Sequence, residues 1–334
     1  MKFNRAFIKN FAYVTPEKSL TSQEIERELY PLYERLKMSE GRLELMTGIQ
    51  KRHFWDPGTL PSTVAAEAGK KLLEKENLNP QNIDRLICAS VCRDQLAPAS
   101  AIHHHLSLGQ TCPFFDLSNA CLGVMNAVVL AGHLIEKGAY KNILITSGEN
   151  SGPLLLKTLE TLKTDSTINR KTIKKYFANL TIGSAAVAFL ISNEGPAQIL
   201  GGVERSDSSA HLLCRGGGDV NGLSMETNSE ELMKKGVILA ERAYNDFKNE
   251  ITLNDQHSVL THQVGSAHEK LTLETLGLLT HPTFRTYPEF GNTGSAALPL
   301  TFMKAFEENK LQKDISLLGI GSGLTCTLLG IQCR

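Results

Sequence analysis

The sequence lacks an excess of charge of either sign, since Lys plus Arg and Asp plus Glu each number 35. A chain without a basic surplus carries no electrostatic signature of nucleic-acid binding or of attachment to an anionic membrane. It also lacks an apolar run long enough to cross a bilayer, and its N-terminus has no apolar signal segment. We therefore expect a cytoplasmic protein with no nucleic-acid partner and no membrane span.

Signatures of disulfides and of metal sites are missing too. The cysteines number seven, and none of them belongs to a C-x-x-C pair. An odd count without a secretory signal indicates reduced thiols. Cys88 and Cys92 are predicted to lie on one face of one strand, while His103, His104 and His105 would point about 100° apart on a helix. Neither set is suited to holding a metal, and we expect none.

One stretch, residues 114–127 (FFDLSNACLGVMNA), predicts a short strand, a tight turn and a helix that begins at or beside Cys121. The next ten residues, 128–137, are apolar nearly all round, which is typical of a buried helix. The free amides and the dipole at a helix N-terminus stabilise an anion, so a thiolate there has a lowered pKa and is a nucleophile. The alternative is an inert cysteine packed in the core.

Predicted strands alternate with predicted helices along the chain, which is typical of mostly parallel sheets covered by helices. The pattern also repeats. A strand follows 24 residues after Asn119, which opens one helix, and another follows 23 residues after Asn292, which opens a second. We therefore predict an α/β fold of two pseudo-repeated halves, with helices sandwiched between two sheets.

The Asn-Glu-Gly-Pro turn at 193–196 marks the predicted boundary between the halves. Residues 1–195 would form the N-terminal half, which contains Cys121, and residues 196–334 the C-terminal half. A polar stretch rich in Lys and Thr, at about 153–179, is predicted to be an inserted cap. Ligands would bind where strand ends of the two halves converge.

Four turns each follow a predicted buried strand, which is where α/β proteins place functional residues. They are Asn119-Ala-Cys121, Thr261-His262-Gln263, Gly291-Asn292-Thr293 and Gly321-Ser322-Gly323. Singly each is a weak signal, because such residues are also common in ordinary turns. A cysteine, a histidine, an asparagine and a glycine turn in this order resemble the thiolase superfamily, and within it β-ketoacyl synthase III.

A more specific resemblance is to the olefin-biosynthesis thiolases, which condense two long-chain acyl-CoAs. The matching segments are spread in order through the chain: Leu20-Thr-Ser-Gln-Glu-Ile, Thr47-Gly-Ile, Ser118-Asn-Ala-Cys-Leu, Leu213-Cys-Arg-Gly, His262-Gln-Val, Gly291-Asn and Leu318-Gly-Ile-Gly-Ser-Gly-Leu. The resemblance implies a five-layered αβαβα thiolase fold and a homodimer.

The resemblance also implies the roles of the site residues. Cys121 would carry the acyl group as a thioester, and the amides of Cys121 and Ser322 would form an oxyanion hole. His262 and Asn292 would donate hydrogen bonds to the carbonyl of the second thioester and stabilise its enolate. The substrates would be acyl-CoA or acyl carrier protein thioesters, and no cofactor is implied.

The expected function is therefore a β-ketoacyl synthase III-like acyltransferase that catalyses a Claisen condensation in fatty-acid, olefin or related lipid metabolism. One alternative is acyl transfer to oxygen or nitrogen without condensation. Another is a non-catalytic subunit that binds acyl thioesters in a complex with a paralogue.

The loop 93–98 departs from the family pattern. Olefin thiolases have a glutamate immediately before the proline of this loop, which is thought to act as the base and to reach the partner subunit's site. This chain has Ala97 there, and alanine cannot remove a proton. The enolate would then come from decarboxylation of a malonyl thioester, or the reaction would stop at acyl transfer. Asp94 is a weaker substitute for the base.

Carrier recognition is predicted less firmly. Synthase III uses arginines and an asparagine at its tunnel mouth, and the matching positions here are Met46, Gly265 and Ala267. The glycine-rich segment 214–218 predicts a flexible turn. Residues that would contact the thioester or the phosphopantetheine are Arg52, Trp55, Arg215 and Gly265, with Lys51 and Lys270 as further basic candidates. Solvated surface charge is an equally good interpretation of the basic residues.

Overall fold

The computed structural model describes the backbone of residues 1–219 and 222–334, and the side chains of this range except for residues 217–223. The strands are β1 (Phe7–Val14), β2 (Ser19–Thr21), β3 (Lys51–His53), β4 (Arg85–Cys88), β5 (Phe114–Asp116), β6 (Asn142–Glu149), β7 (Ala185–Ser192), β8 (Ala197–Ser206), β9 (Cys214–Asp219), β10 (Gly222–Thr227), β11 (Ser258–Thr261), β12 (Asp314–Gly321) and β13 (Thr325–Cys333). The helices are α1 (Ser22–Glu28), α2 (Tyr30–Arg35), α3 (Arg42–Thr47), α4 (Pro61–Lys75), α5 (Pro98–His105), α6 (Gly123–Glu136), α7 (Gly152–Thr164), α8 (Ser229–Glu250), α9 (Ser266–Thr275), α10 (Tyr287–Phe290) and α11 (Ala297–Glu307).

Nine strands form one hydrogen-bonded sheet in the order β11-β12-β13-β8-β1-β7-β6-β4-β5. The prediction of mostly parallel pairing was wrong. Parallel pairs join β4 to β5, β4 to β6 and β11 to β12, whereas the strands between them pair antiparallel. One reason is the tight turn that joins β12 to β13, because a parallel pair would need a long crossover connection there.

The halves of this sheet meet where β1 pairs with β8 at Phe7 and Ile8, and the segment before β1 continues this backbone contact as far as Gly202. The sheet folds over into two layers. Helices α6 and α11 contact strands of both halves and lie between them. On the outer faces, α4 and α5 cover one half and α8 covers the other, with α9 packed beside it. This arrangement confirms the five-layered fold, and the central apolar core draws residues from both halves.

The stretch predicted to be an inserted cap contains α7 and a 3₁₀ segment, Thr172–Leu180, and the β9–β10 hairpin packs on both. Buried Asn179 joins the three, since its Nδ2 donates to Thr158 Oγ1 at 3.0 Å and to the Met225 carbonyl at 2.9 Å. The segment 214–218, predicted to be a flexible turn, belongs to strand β9. Pairing with β10 in regular register supplies the hydrogen bonds that the glycines alone do not predict.

Two other local predictions need correction. The sequence from Ser22 to about Leu36 predicts one helix, begun by a capping box of Thr21 and Glu24. The capping box is confirmed, but the segment forms two helices that meet at Leu29, just before Pro31. Strand β4 ends at Cys88, so Cys92 does not share its face. In the described part of the chain, no helix is both long and apolar enough to cross a membrane.

Candidate active site

Cys121 lies in the turn between β5 and α6. The helix begins at Gly123 with Leu122 as its N-cap residue, so Cys121 immediately precedes the helix. Ala120 has a positive φ of 44°, which tightens the turn at some cost for a residue with a Cβ. Gly123 is required here, because a Cβ at this position would lie 2.5 Å from the carbonyl oxygen of Ala89. The turn thus presses the start of α6 against the end of β4.

The expectation of a lowered thiol pKa was wrong. Cys121 is partly exposed, yet protein atoms surround its sulfur closely, and this burial raises its pKa to about 12. The negative charge of Glu149 raises it further. Loss of water around the sulfur and a nearby carboxylate outweigh the attraction of the helix N-terminus. In the free protein the nucleophile candidate is therefore a neutral thiol.

His262 follows β11 directly and is 3% exposed. Its amide donates to the Leu318 carbonyl at 2.9 Å, which ties the turn to β12. Burial lowers the pKa of its imidazole to about 3, so the ring is neutral at physiological pH. Gln263 links the histidine turn to α10, because its Oε1 accepts hydrogen bonds from the amides of Thr286 and Tyr287 at the start of that helix.

Asn292 lies just beyond α10 in an extended contact with the segment 181–183. Its amide donates to the Thr181 carbonyl at 2.9 Å, and its carbonyl accepts from the Gly183 amide at 3.0 Å. Its side-chain Oδ1 accepts from the Gly294 amide at 3.1 Å, so the carboxamide is oriented. Gly291 has φ +65°, and a Cβ there would lie 2.5 Å from the Thr181 carbonyl, so only glycine suits this turn.

Shared contacts bring these three turns to one end of the sheet. Leu122, next to the cysteine, packs so closely on β12 that a Cβ on Gly319 or Gly321 would lie 2.4 or 2.9 Å from its side chain. The histidine turn is tied to the same strand end. Ser295, three residues after the asparagine, lies 2.8 Å from the carbonyl of Ala89, which also contacts the start of α6. The partly exposed Ser322 directly follows Gly321.

Two residues predicted to bind the carrier have other contacts. Arg52 is fully buried, and its guanidinium donates to Ser22 Oγ at 2.9 Å and to the Leu180 carbonyl at 2.8 Å. It is therefore a structural residue that no carrier reaches, and we withdraw its binding role. Trp55 is partly buried and donates its indole N–H to the Glu149 carbonyl at 3.0 Å. It braces the end of β6.

The other two carrier-binding candidates lie nearer the surface. Arg215 is exposed on β9 and lines a cavity of about 520 Å³ together with Tyr176. Gly265 precedes α9, and a Cβ there would lie 2.7 Å from the Thr47 carbonyl. Glycine at this position therefore allows the start of α9 to approach Thr47 closely. A search of the described residues found no cluster of three or more His, Cys, Asp or Glu side chains suited to a metal ion.

The loop before α5 carries one carboxylate, that of Asp94. Ala97 is exposed at the N-cap of α5. Oδ2 of Asp94 accepts a hydrogen bond from Ser62 Oγ at 2.5 Å, which holds the side chain against α4, while Oδ1 has no hydrogen-bond partner among the described residues. One oxygen of the weaker substitute considered from the sequence is thus engaged by α4.

Two family models and several known proteins match this chain. Residues 46–189 match the family model "Thiolase, N-terminal domain", and residues 247–332 match "3-Oxoacyl-[acyl-carrier-protein (ACP)] synthase III C terminal". An acyl-CoA:acyl-CoA alkyltransferase of Shewanella oneidensis is 32% identical over 350 residues, covering 99% of this chain and 100% of that protein. The chain belongs to the thiolase superfamily, in its synthase III-like branch. It is a condensing acyltransferase of that type.

Further relatives agree with this assignment. The acyl-CoA:acyl-CoA alkyltransferase of Xanthomonas campestris is 31% identical, covering 98% of both chains. A β-ketoacyl-[acyl-carrier-protein] synthase III of Chlorobium phaeobacteroides is 25% identical, covering 99% of both. The crystal structure of Xanthomonas campestris OleA superposes with a TM-score of 0.94 at 29% identity, covering 99% of this chain and 98% of that one. Another OleA structure contains lauric acid and lauroyl-CoA.

Sequence reasoning missed two buried titratable residues. Glu149, the last residue of β6, is 1% exposed, and its position at the end of an apolar strand was a signal, because lone buried carboxylates are rare. His268, in the first turn of α9, is 8% exposed and its Nδ1 has no hydrogen-bond partner among the described residues. Burial lowers its pKa to about 4. No sequence signal distinguished it from a surface histidine.

The buried imidazoles should make the protein less stable in acid. His262 and His268 are neutral when folded and take up protons near pH 6.5 when unfolded, so the stabilisation is complete above that pH and is lost as pH falls toward the folded pKa. Each ring should account for about 2 kcal/mol of lost unfolding free energy by pH 5. Urea unfolding at pH 7, 6 and 5 measures this.

The variant His268→Asn is the control for that measurement. Its unfolding free energy should fall by about 2 kcal/mol less than that of the unmodified protein between pH 7 and pH 5. The raised pKa of Glu149 has the opposite sign, but it is common to both proteins and cancels in the difference. Equal slopes for the two proteins would contradict the assignment.

Proposed function

We propose that the protein joins two acyl thioesters in a Claisen condensation, with Cys121 carrying the first acyl group. One observation carries this proposal. Turns from both halves, bearing Cys121, His262 and Asn292, are tied to the same strand ends beside a buried helix. A thiol, a neutral imidazole and an oriented carboxamide are the groups that acyl transfer followed by enolate attack requires.

In the first step the sulfur of Cys121 attacks the donor thioester. A carbon–sulfur bond forms to the protein, the bond to the carrier thiol breaks, and the thiol proton goes to the departing carrier sulfur. Because the pKa of Cys121 is raised to about 12, this proton must leave during the attack, as negative charge develops on the departing carrier sulfur that receives it. The amides of Cys121 and Ser322 would hold the oxyanion, at roughly 3 kcal/mol per donor.

In the second step a second thioester supplies the carbon nucleophile. His262, neutral at physiological pH, keeps one ring N–H to donate, and the side-chain NH₂ of Asn292 supplies another donor. Both would stabilise the enolate oxygen of this thioester. The enolate carbon attacks the acyl group on Cys121, the carbon–sulfur bond breaks, and a β-ketoacyl thioester leaves.

We infer that the enolate arises by decarboxylation of a malonyl-type thioester. Ala97 has no group that accepts a proton, and Asp94 is hydrogen-bonded to Ser62. Loss of CO₂ leaves the electron pair on the α-carbon without any base. This source of the enolate therefore suits the residues present.

Condensation of two acyl-CoAs is the second candidate, and the full-length relatives named acyl-CoA:acyl-CoA alkyltransferases favour it. Removal of an α-proton would then need a base in place of Ala97. Acyl transfer to oxygen or nitrogen has no specific observation in its favour, because the enolate-stabilising pair, His262 and Asn292, would serve no purpose.

Coenzyme A is the carrier that we propose for the donor. The OleA structure with lauroyl-CoA shows that a related protein accommodates this carrier. In this chain the exposed Arg215 lines a cavity of about 520 Å³ bounded by α7 and the β9–β10 hairpin, and its Nε donates to the Leu212 carbonyl at 3.2 Å. The remaining guanidinium donors suit a phosphate of the carrier. An acyl carrier protein presents a phosphate on the same arm and remains the alternative.

Formation of an acyl-enzyme tests the nucleophile. Incubation with a panel of acyl-CoAs should add one acyl mass to the intact protein. Cys121→Ala should abolish this adduct, whereas Cys214→Ala should retain it. His262→Ala and Asn292→Ala should keep the adduct but lower condensation by at least about 100-fold. An adduct that survives in Cys121→Ala would refute the assignment.

Product analysis tests the source of the enolate. With acyl-CoA and malonyl-CoA the protein should release CO₂ and form a β-ketoacyl product, and with acyl-CoA alone it should form none. Ala97→Glu should gain condensation of acyl-CoA alone, because it restores a carboxylate, while Ala97→Gln should not. Efficient condensation of acyl-CoA alone by the unmodified protein would favour the second candidate.

We propose that two copies associate through β5. This strand is at the edge of the nine-stranded sheet, and an open strand edge readily pairs with another chain. Two large apolar side chains nearby are exposed, Leu96 completely and Phe114 by 41%. A twofold pairing of β5 with its copy would cover both and continue the sheet.

Light scattering after size exclusion tests the dimer. The unmodified protein should have twice the mass of one chain at micromolar concentration. Leu96→Asp should weaken association at least about tenfold, because it places a charge in an apolar contact. Leu279→Asp is the control, since Leu279 is 55% exposed and lies beyond α9. A monomeric unmodified protein would contradict the proposal.

A further inference from the structure

Glu149 is a carboxylate removed from water without a positively charged partner. It ends β6, is 1% exposed, and takes part in none of the ion pairs among the described residues. Burying a charge is costly unless hydrogen bonds replace its hydration. The hydrogen bonds that Glu149 accepts give a reason for the presence of a buried carboxylate at this position.

Four donors surround the carboxylate. Oε1 lies 2.9 Å from the Val91 amide, 3.0 Å from Ser147 Oγ and 2.6 Å from Ser295 Oγ, and Oε2 lies 3.0 Å from the Cys92 amide. The turn after β4, the end of β6 and the turn before α11 thus meet at one side chain. The carboxylate joins the N-terminal part of the chain to the segment that follows Asn292.

The same contacts reach the asparagine. Gly294 packs on the carboxylate so closely that a Cβ there would lie 3.3 Å from Glu149 Cδ. The amide of Gly294 in turn donates to Asn292 Oδ1 at 3.1 Å. Glu149 therefore supports the turn that orients the carboxamide of Asn292, and it acts on that carboxamide only through the turn.

We propose that Glu149 is a positioning residue of the active site, whose hydrogen bonds to the turn after β4 and to Ser295 fix the turn that orients Asn292. This proposal rests on the proposed condensation.

Variants that alter these hydrogen bonds test the positioning role. Ser295→Ala and Glu149→Asp should form the acyl adduct as the unmodified protein does, and should lower kcat of condensation at least about tenfold with KM for the donor within about twofold. Normal condensation in both variants would overturn the positioning role.

Thermal melting shows whether each variant folds. If Glu149→Asp does not fold, Ser295→Ala carries the test, because it removes one hydrogen bond and leaves the carboxylate in place. Absence of any acyl adduct in the unmodified protein would sink the proposed function, whereas a normal adduct with normal condensation in the variants would overturn the positioning role alone.

Discussion

Exclusion of water from the candidate active site sets the protonation state of its thiol and its imidazole. Burial lowers the pKa of His262 to about 3 and raises that of Cys121 to about 12, so both are neutral at rest. A neutral thiol and a neutral imidazole differ from a preformed thiolate–imidazolium pair, so under the proposed mechanism the thiol loses its proton only when a substrate binds. The chemistry thus depends on packing that keeps solvent out.

That packing comes from a few very close approaches between backbone and side chains. Leu122 presses on the glycines at 319 and 321, and the start of α6 meets the Ala89 carbonyl. These contacts allow α6 to lie between two folded halves of one sheet, with strand ends of both halves at its N-terminus. The helices between the halves bury apolar side chains of both, and this packing adds to the backbone pairing of the N-terminal segment with β8.

Much of this arrangement was predictable from the sequence, and the failures have physical causes. Strand-to-turn transitions predicted which turns lie at one end of the sheet, since turns after strands occupy one edge of an α/β sheet; the roles given to the cysteine, histidine and asparagine remain predictions. Strand direction was not predictable, because periodicity does not report whether a neighbour is parallel. The burial of Arg52, the strand at 214–219 and the thiol pKa all depend on contacts distant in sequence, and local pattern carries no record of them.

The position of residue 97 has an evolutionary consequence. Ala97 is solvent-exposed and makes no core contact, so its replacement costs the fold little. The catalytic interior, by contrast, tolerates almost no change in volume. Under the proposed decarboxylative mechanism, a lineage with this scaffold is therefore free to drift at a residue that decides how the carbanion is made, and replacing one exposed side chain would redirect the same fold to a different class of substrate.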